Sequence, residues 1–300
     1  KKYWDLYEDC DHLLPQVPSI PYADQDAHSK RIFDANDWRS YEISEAQIKA
    51  SRRAYFANIS YLDDKIGGIL DVLEMTGQEA TILFVSDHGD MLGERGLWFK
   101  MSFFEGAARV PLMIAAPEMA PGVVTAPVST IDICPTLCNL AGISMAEVMP
   151  WTHGESLVPL ASAGARHQAV AMEYAAEASY APLVSLCSGW WKYIRCALDP
   201  EQLFNLETDP HELCNLASNP QYAKILQDLR DQSHALWDLD RFDAEIRESQ
   251  ARRWVIYEAL REGGYYPWDY QPLQTASERY MRNHMDLNAL EAKKRVPKRT

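Results

Sequence analysis

The run Ser86-Asp87-His88-Gly89-Asp90 sets a carboxylate beside an imidazole, followed by a glycine that lets the backbone turn sharply. Asp87 offers a hard oxygen and His88 a neutral ring nitrogen, and both can reach one divalent cation. The same residues also suit an Asx-turn, in which Asp87 accepts from the amides that follow it. Thirteen residues beyond Asp87 stands Lys100, in Gly96-Leu97-Trp98-Phe99-Lys100. Its ammonium can sit by a tetrahedral oxyanion and neutralise charge developing on a leaving oxygen. Alternatively it is a surface lysine whose stem covers Trp98 and Phe99. Glu105 and Arg109, in Phe104-Glu105-Gly106-Ala107-Ala108-Arg109-Val110-Pro111, read as a pair that fixes this loop against the strand after it.

These residues need elements to hold them. Residues 81–86 are short, apolar and partly β-branched, and residues 110–115 repeat the pattern, which predicts two buried parallel strands. Upstream, Ser44 and Gln47 have capping-box spacing. Ile59, Leu62, Ile66, Ile69 and Leu73 then recur at steps of three and four, building one apolar helical stripe that Gly77 ends. Helix, buried strand, loop and buried strand predict an α/β fold with helices on the faces of a sheet. Ligands of such sheets bind beyond the carboxyl ends of the strands, where Asp87 and His88 fall.

Residues 10–43, broken by Pro15, Pro18 and Pro21, read as loop. A helix is expected over 129–141, closed by Gly142. Four short runs at 168–174, 183–188, 190–196 and 202–206 predict a small antiparallel sheet, and 220–260 reads as helical and charged. The tail from Gly263 is aromatic, with Tyr265-Tyr266-Pro267-Trp268-Asp269-Tyr270. The division expected is therefore 1–160, 161–262 and 263–300.

Bulk properties narrow the class. A hydrophobic share of 47% over 300 residues suffices for a sizeable core, and no run of eighteen apolar residues predicts a spanning helix. The net charge of -14 argues against nucleic acid as a partner, since such proteins present a basic face. Six cysteines with neither a dense framework nor paired CxxC spacing predict reduced thiols and a cytoplasmic protein. Cys134 and Cys138 lie in a helical apolar pattern and read as buried packing.

Asp-His-Gly after a strand, a lysine thirteen residues on and then Glu-Gly-Ala-Ala-Arg-Val-Pro resemble the second half of a sulfatase of the alkaline phosphatase superfamily. Leu203-Phe204-Asn205-Leu206-Glu207-Thr208-Asp209-Pro210-His211-Glu212, with Asn215-Leu216-Ala217, is similar to that family's C-terminal signature. Arg253-Trp254, Trp268-Asp269-Tyr270-Gln271-Pro272, Tyr280-Met281-Arg282-Asn283 and Glu173-Tyr174-Ala175-Ala176-Glu177 resemble the choline-sulfatase branch. The resemblance implies an alkaline-phosphatase-like α/β sandwich that hydrolyses choline O-sulfate to choline and sulfate. It further implies that 1–160 is the C-terminal part of the core and that 263–300 is a branch-type tail.

By position, the resemblance makes Asp87 and His88 metal ligands and Lys100 the lysine on the sulfate and its leaving oxygen. It implies one divalent cation, Ca2+ or, because His88 stands where many sulfatases carry Asn, Mn2+. It also implies a formylglycine nucleophile from a Cys-x-Pro-x-Arg motif. None of the six cysteines stands in that motif, so the nucleophile and two further aspartate ligands are expected in a segment preceding Lys1. The chain is expected to be part of a longer enzyme.

A choline head group asks for aromatic faces and a carboxylate. Glu177 is the first choice for the carboxylate, with Trp190, Trp191 and Tyr180 as candidate aromatics and Asp286 as a further acid. The tail is expected to join subunits into a homo-oligomer. Two other readings stand beside this one: a phosphonate monoester or phosphodiester hydrolase on the same platform, and a non-catalytic assembly module.

Overall fold

The computed structural model describes residues 1–8, 10, 13–117, 119–163 and 169–261. In chain order it holds helices α1 (Lys2–Asp5), α2 (Ala27–Ala35) and α3 (Glu45–Thr76), strand β1 (Ile82–Val85), helix α4 (Glu105–Ala108) and strand β2 (Leu112–Ala115). Helices α5 (Ile133–Leu140), α6 (Met145–Val148) and α7 (Leu157–Ala163) follow, then strands β3 (Val170–Tyr174), β4 (Leu183–Ser188), β5 (Trp191–Cys196) and β6 (Gln202–Asn205). Helices α8 (Ala223–Leu236) and α9 (Leu239–Arg261) close the described chain.

Local chemistry sets the ends of α3. Ser44 accepts from the Gln47 amide while the Gln47 side chain reaches back to the Ser44 amide, so the capping box forms as expected. At the other end Gly77 takes a φ of 62°, a left-handed turn that glycine enters without strain. The stripe between these caps departs from expectation. Ile59, Leu62 and Ile69 all stay exposed, Ile69 at 63%, because no described element packs across them. The segment 10–43 also holds more order than its prolines suggest. Asp26 caps α2 by accepting from the Ser29 amide, and Ile32 on that helix is buried.

Strands β1 and β2 form where expected but pair antiparallel, in the register Ile82 to Ala115 through Val85 to Leu112. The chain between them makes a closed excursion and returns beside itself, so the second strand runs against the first. Their faces are only partly covered, and Met113 is 60% exposed. The second sheet meets expectation more closely: β3-β4-β5-β6 is an antiparallel meander with Leu183 opposite Cys196 and Tyr193 opposite Leu203.

Alternate faces of that meander bury two clusters. One side, with Leu186, Tyr193 and Leu203, packs on Leu226 and Leu229 of α8. The other side joins Leu183, Ile194, Cys196 and Phe204 to Ile32, Met91, Leu97, Met101, Phe103 and Phe104 from the first half of the chain. The second core therefore braces the loop that follows β1. Ala107, at the heart of α4, is buried in it too.

All six cysteines are free thiols, and Cys134 is exposed rather than packed, because α5 turns it outward toward Met149. No helix among the described residues is long and apolar enough to cross a membrane. The tail 263–300, with Asp286, lies outside the described residues.

Candidate functional site

Strand β1 delivers Ser86, Asp87 and His88 to its carboxyl end, and the turn is tied at once. The Ser86 hydroxyl donates to the His88 carbonyl at 2.7 Å, and the His88 amide donates to Asp87 Oδ1 at 2.9 Å. That contact reaches only the adjacent residue, so the Asx-turn, which needs the amide two residues on, forms not at Asp87 but at Asp90, whose Oδ1 accepts from the Leu92 amide. The other carboxylate oxygen of Asp87 is directed at the ring, with Oδ2 3.5 Å from His88 Nε2. The hydrogen bond from the His88 amide holds the Asp87 carboxyl below the usual carboxylate range, and with the side chain 84% exposed it is ionised near neutrality.

Twelve residues on from His88, Lys100 returns to the same spot. Asp90 organises the return: its Oδ1 accepts from the Leu92 amide at 3.0 Å and from the Phe99 amide at 3.1 Å. The Met91 amide donates to Phe99 O and the Gly93 amide to Leu97 O, both at 2.8 Å. Buried Met91 and Leu97 anchor the loop in the shared core, and Arg52 on α3 donates to Leu92 O at 3.0 Å. Phe99 takes a φ of 64°, uncommon for a bulky residue, and it immediately precedes Lys100.

Lys100 Nζ consequently lies 2.9 Å from His88 Nε2. Two basic groups approach so closely only if one is an acceptor. His88 Nδ1 is 2.9 Å from the Gly89 carbonyl, so the proton belongs on Nδ1 and the lone pair on Nε2. Neutral Nε2 is the form that ligates metals. Asp87 presents oxygens of the kind Ca2+ and Mn2+ take, whereas an imidazole nitrogen suits a transition metal better than Ca2+, and the Nε2 lone pair, engaged here by Lys100 Nζ, would have to leave that contact to ligate a cation. Two residues make only part of a shell: among the described residues no three His, Cys, Asp or Glu side chains gather as a cation site.

Glu177 is exposed and near a different aromatic from those expected. Tyr174 on β3 donates to Glu177 O at 2.9 Å and lies 3.4 Å from its Oε2. Trp191 instead packs on Tyr222 in the cluster against α8, and the ring of Tyr180 faces the Arg31 guanidinium. Tyr174 connects toward the loop: its ring meets His28 edge-on at 5.5 Å, and His28 Nε2 is 2.7 Å from the Met101 carbonyl, one residue past Lys100.

Glu105 and Arg109 are a loose pair at 3.8 Å, with Arg109 exposed and Glu105 partly buried. The firm partner of Glu105 is Lys192 on β5, at 2.6 Å, and Lys192 also holds Glu212 at 2.8 Å. Neither Lys192 nor Glu212 stands out as functional in the sequence. The available signal was a lysine between aromatics in a strand buried on both faces, which demands a buried counter-charge.

The family described as Sulfatase matches residues 14–143, N-sulphoglucosamine sulphohydrolase, C-terminal matches 93–238, and Choline sulfatase enzyme C terminal matches 244–296. The chain is 61% identical to a choline-sulfatase of Rhizobium meliloti (strain 1021), over 99% of this chain and 59% of that protein. A solved phosphonate monoester hydrolase of Agrobacterium radiobacter superposes with a TM-score of 0.56 at 26% identity, covering 65% of this chain and 42% of that one. One from Silicibacter pomeroyi gives a TM-score of 0.63 at 24% identity, over 74% and 50%. The chain thus spans 59% of the length of the choline-sulfatase it matches.

Proposed function

The chain belongs to the sulfatase family, and on that premise we propose that it supplies part of an enzyme hydrolysing choline O-sulfate to choline and sulfate. The observation that carries the proposal is the approach of Lys100 Nζ to His88 Nε2 at 2.9 Å with Asp87 alongside. An ammonium and a paired donor set facing one space are what a sulfate ester needs around its oxygens.

A divalent cation, Ca2+ or Mn2+, held by Asp87 and His88 would draw electron density from the sulfate oxygens. Lys100 would sit by the ester oxygen and offset the charge that gathers there as the S–O bond breaks. Asp87, held ionised by the His88 amide, would supply the oxygen donors, and His88 Nε2 would turn from Lys100 to the cation. Glu177 and the Tyr174 ring would take the quaternary ammonium, a group with no proton to donate that binds through charge and aromatic faces. The nucleophile, a formylglycine, and the remaining cation ligands belong in this proposal to sequence outside these 300 residues. A cytoplasmic homo-oligomer joined through 263–300 completes it, supported by the free thiols and the aromatic composition of that segment.

Release of choline from choline O-sulfate by the full-length protein, with Ca2+ or Mn2+ supplied, tests this directly. Turnover that chelation abolishes is expected. Equal turnover of a neutral alkyl sulfate would remove the cationic head group from the proposal. The 26% identity to a phosphonate monoester hydrolase favours a second reading on the same platform. Faster hydrolysis of a phosphonate monoester than of choline O-sulfate would replace the first reading with that one.

A further inference from the structure

Lys192, the second residue of β5, is a lysine with 0% of its side chain exposed, on a strand that carries no chemistry. Its ammonium donates to Glu212 Oε1 at 2.8 Å, Glu105 Oε1 at 2.6 Å and the Phe103 carbonyl at 2.8 Å. Burial alone would strip its proton, but the two carboxylates hold the ammonium above its ordinary range. Glu212 uses its second oxygen to accept from the Glu105 amide at 2.7 Å. That amide opens α4, whose own N-cap residue, Phe104, has no side chain able to accept. Glu212 thus caps α4 from across the molecule.

The turn so gripped is the shelf under the candidate site. The Ala107 carbonyl of α4 accepts from the Gly89 amide at 2.8 Å. A Cβ on Gly89 would lie 2.2 Å from the Gly106 carbonyl oxygen, so the two backbones touch with no slack. Gly89 in turn offers its carbonyl to His88 Nδ1, the bond that fixes the tautomer and aims Nε2 at Lys100. On its other side, the Phe103 carbonyl held by Lys192 lies three residues past Lys100. One buried ion cluster therefore grips the chain just beyond both halves of the site.

We propose that Lys192 and Glu212 are positioning residues: through α4 and Gly89 they fix the His88 imidazole relative to Lys100. The inference rests on the reading of Asp87, His88 and Lys100 given above, although its first test does not. In the full-length protein, hydrogen exchange at 86–91 is compared with exchange in β3 and β4 for Glu212→Ala and Glu212→Gln. Glu212→Ala is expected to expose the Gly89 amide while β3 and β4 keep their protection. Glu212→Gln is expected to restore protection, because its amide oxygen still accepts from the Glu105 amide.

The second readout is affinity for Ca2+ and for Mn2+ alone, by calorimetry, with an expected loss of about 10-fold for Glu212→Ala, typical of residues that orient a ligand. If Glu212→Ala does not fold, the apolar pair Lys192→Met with Glu212→Leu removes both charges together and keeps the packing. A folded variant of either kind that keeps wild-type Gly89 protection and wild-type cation affinity overturns the proposal. A lower melting temperature with those two values unchanged overturns it equally, since it marks a merely structural pair. A wild-type protein that binds cation yet leaves choline O-sulfate intact sinks the proposed function but not this inference, which the exchange data still decide.

Discussion

A lysine and a histidine rest 2.9 Å apart without repulsion because the imidazole proton is committed to Gly89 O, so Nε2 meets the ammonium as an acceptor. Lys100 is exposed, so its contact adds little to folding. Lys100→Ala is accordingly expected to change stability by no more than about 0.5 kcal/mol. It should lower kcat on choline O-sulfate by about 100-fold. Steady-state kinetics and urea unfolding on one preparation check both parts, and an unaltered kcat would take Lys100 out of the chemistry. Gly89→Ala behaves in the opposite sense. Its methyl must push the Gly106 carbonyl away, at a cost of about 1–3 kcal/mol, and drag His88 with it. A fall in both the urea midpoint and cation affinity is the expected result.

At this scale residue type alone left Asp87, His88 and Lys100 open to plainer readings as turn and surface residues, and their order and spacing, which resemble a sulfatase's, singled them out as candidates. The true partner of Glu105 could not be found that way. Lys192 lies 87 residues away, and only the closing of β5 against the loop makes the two neighbours. Arg109, four residues off, was the local answer to a non-local question.

Elements divide along the same line. The ends of α3 were readable because caps are local hydrogen bonds written in Ser44, Gln47 and Gly77. The meander was readable because its strands are joined by short turns, which leave antiparallel pairing as the simple outcome. The direction of β2 was not, since an apolar run buries equally well either way and its pairing depends on how the chain between the strands returns. The α3 stripe shows a further gap: periodicity states which face is apolar, while exposure of Ile59 and Ile69 depends on what lies opposite. Within the meander, Leu186 on β4 is wholly buried against Tyr193, Leu203 and α8. Leu186→Ala should cost about 2–5 kcal/mol, read from urea denaturation, because the tight sheet–helix layer closes poorly over the void.

Across the whole molecule, charge and burial set the response to acid. Burial pushes the His28 imidazole below its ordinary value, against the bond from Nε2 to Met101 O, and a second proton would find no partner for Nδ1. The unfolded chain takes up that proton near pH 6.5, so stability falls as pH drops below this value. The Arg230 guanidinium holds the Glu201 carboxyl below its usual range. Its contribution is complete above an unfolded value of about 4.3 and is lost as pH falls through the lower folded value. A melting temperature that declines in two stages on acidification is expected, and His28→Gln should flatten the first. A profile for His28→Gln that matches wild type between pH 7 and 5 would reject the assignment.

The bond from the Glu105 amide to Glu212 joins positions 107 residues apart. During synthesis, the ribosome releases the Asp-His turn and its lysine long before the carboxylate that steadies the ground beneath them. A nascent chain must carry the candidate site unbraced until residue 212 has emerged, and a protein halted before that point would hold Asp87, His88 and Lys100 without the contact that caps α4 beneath them.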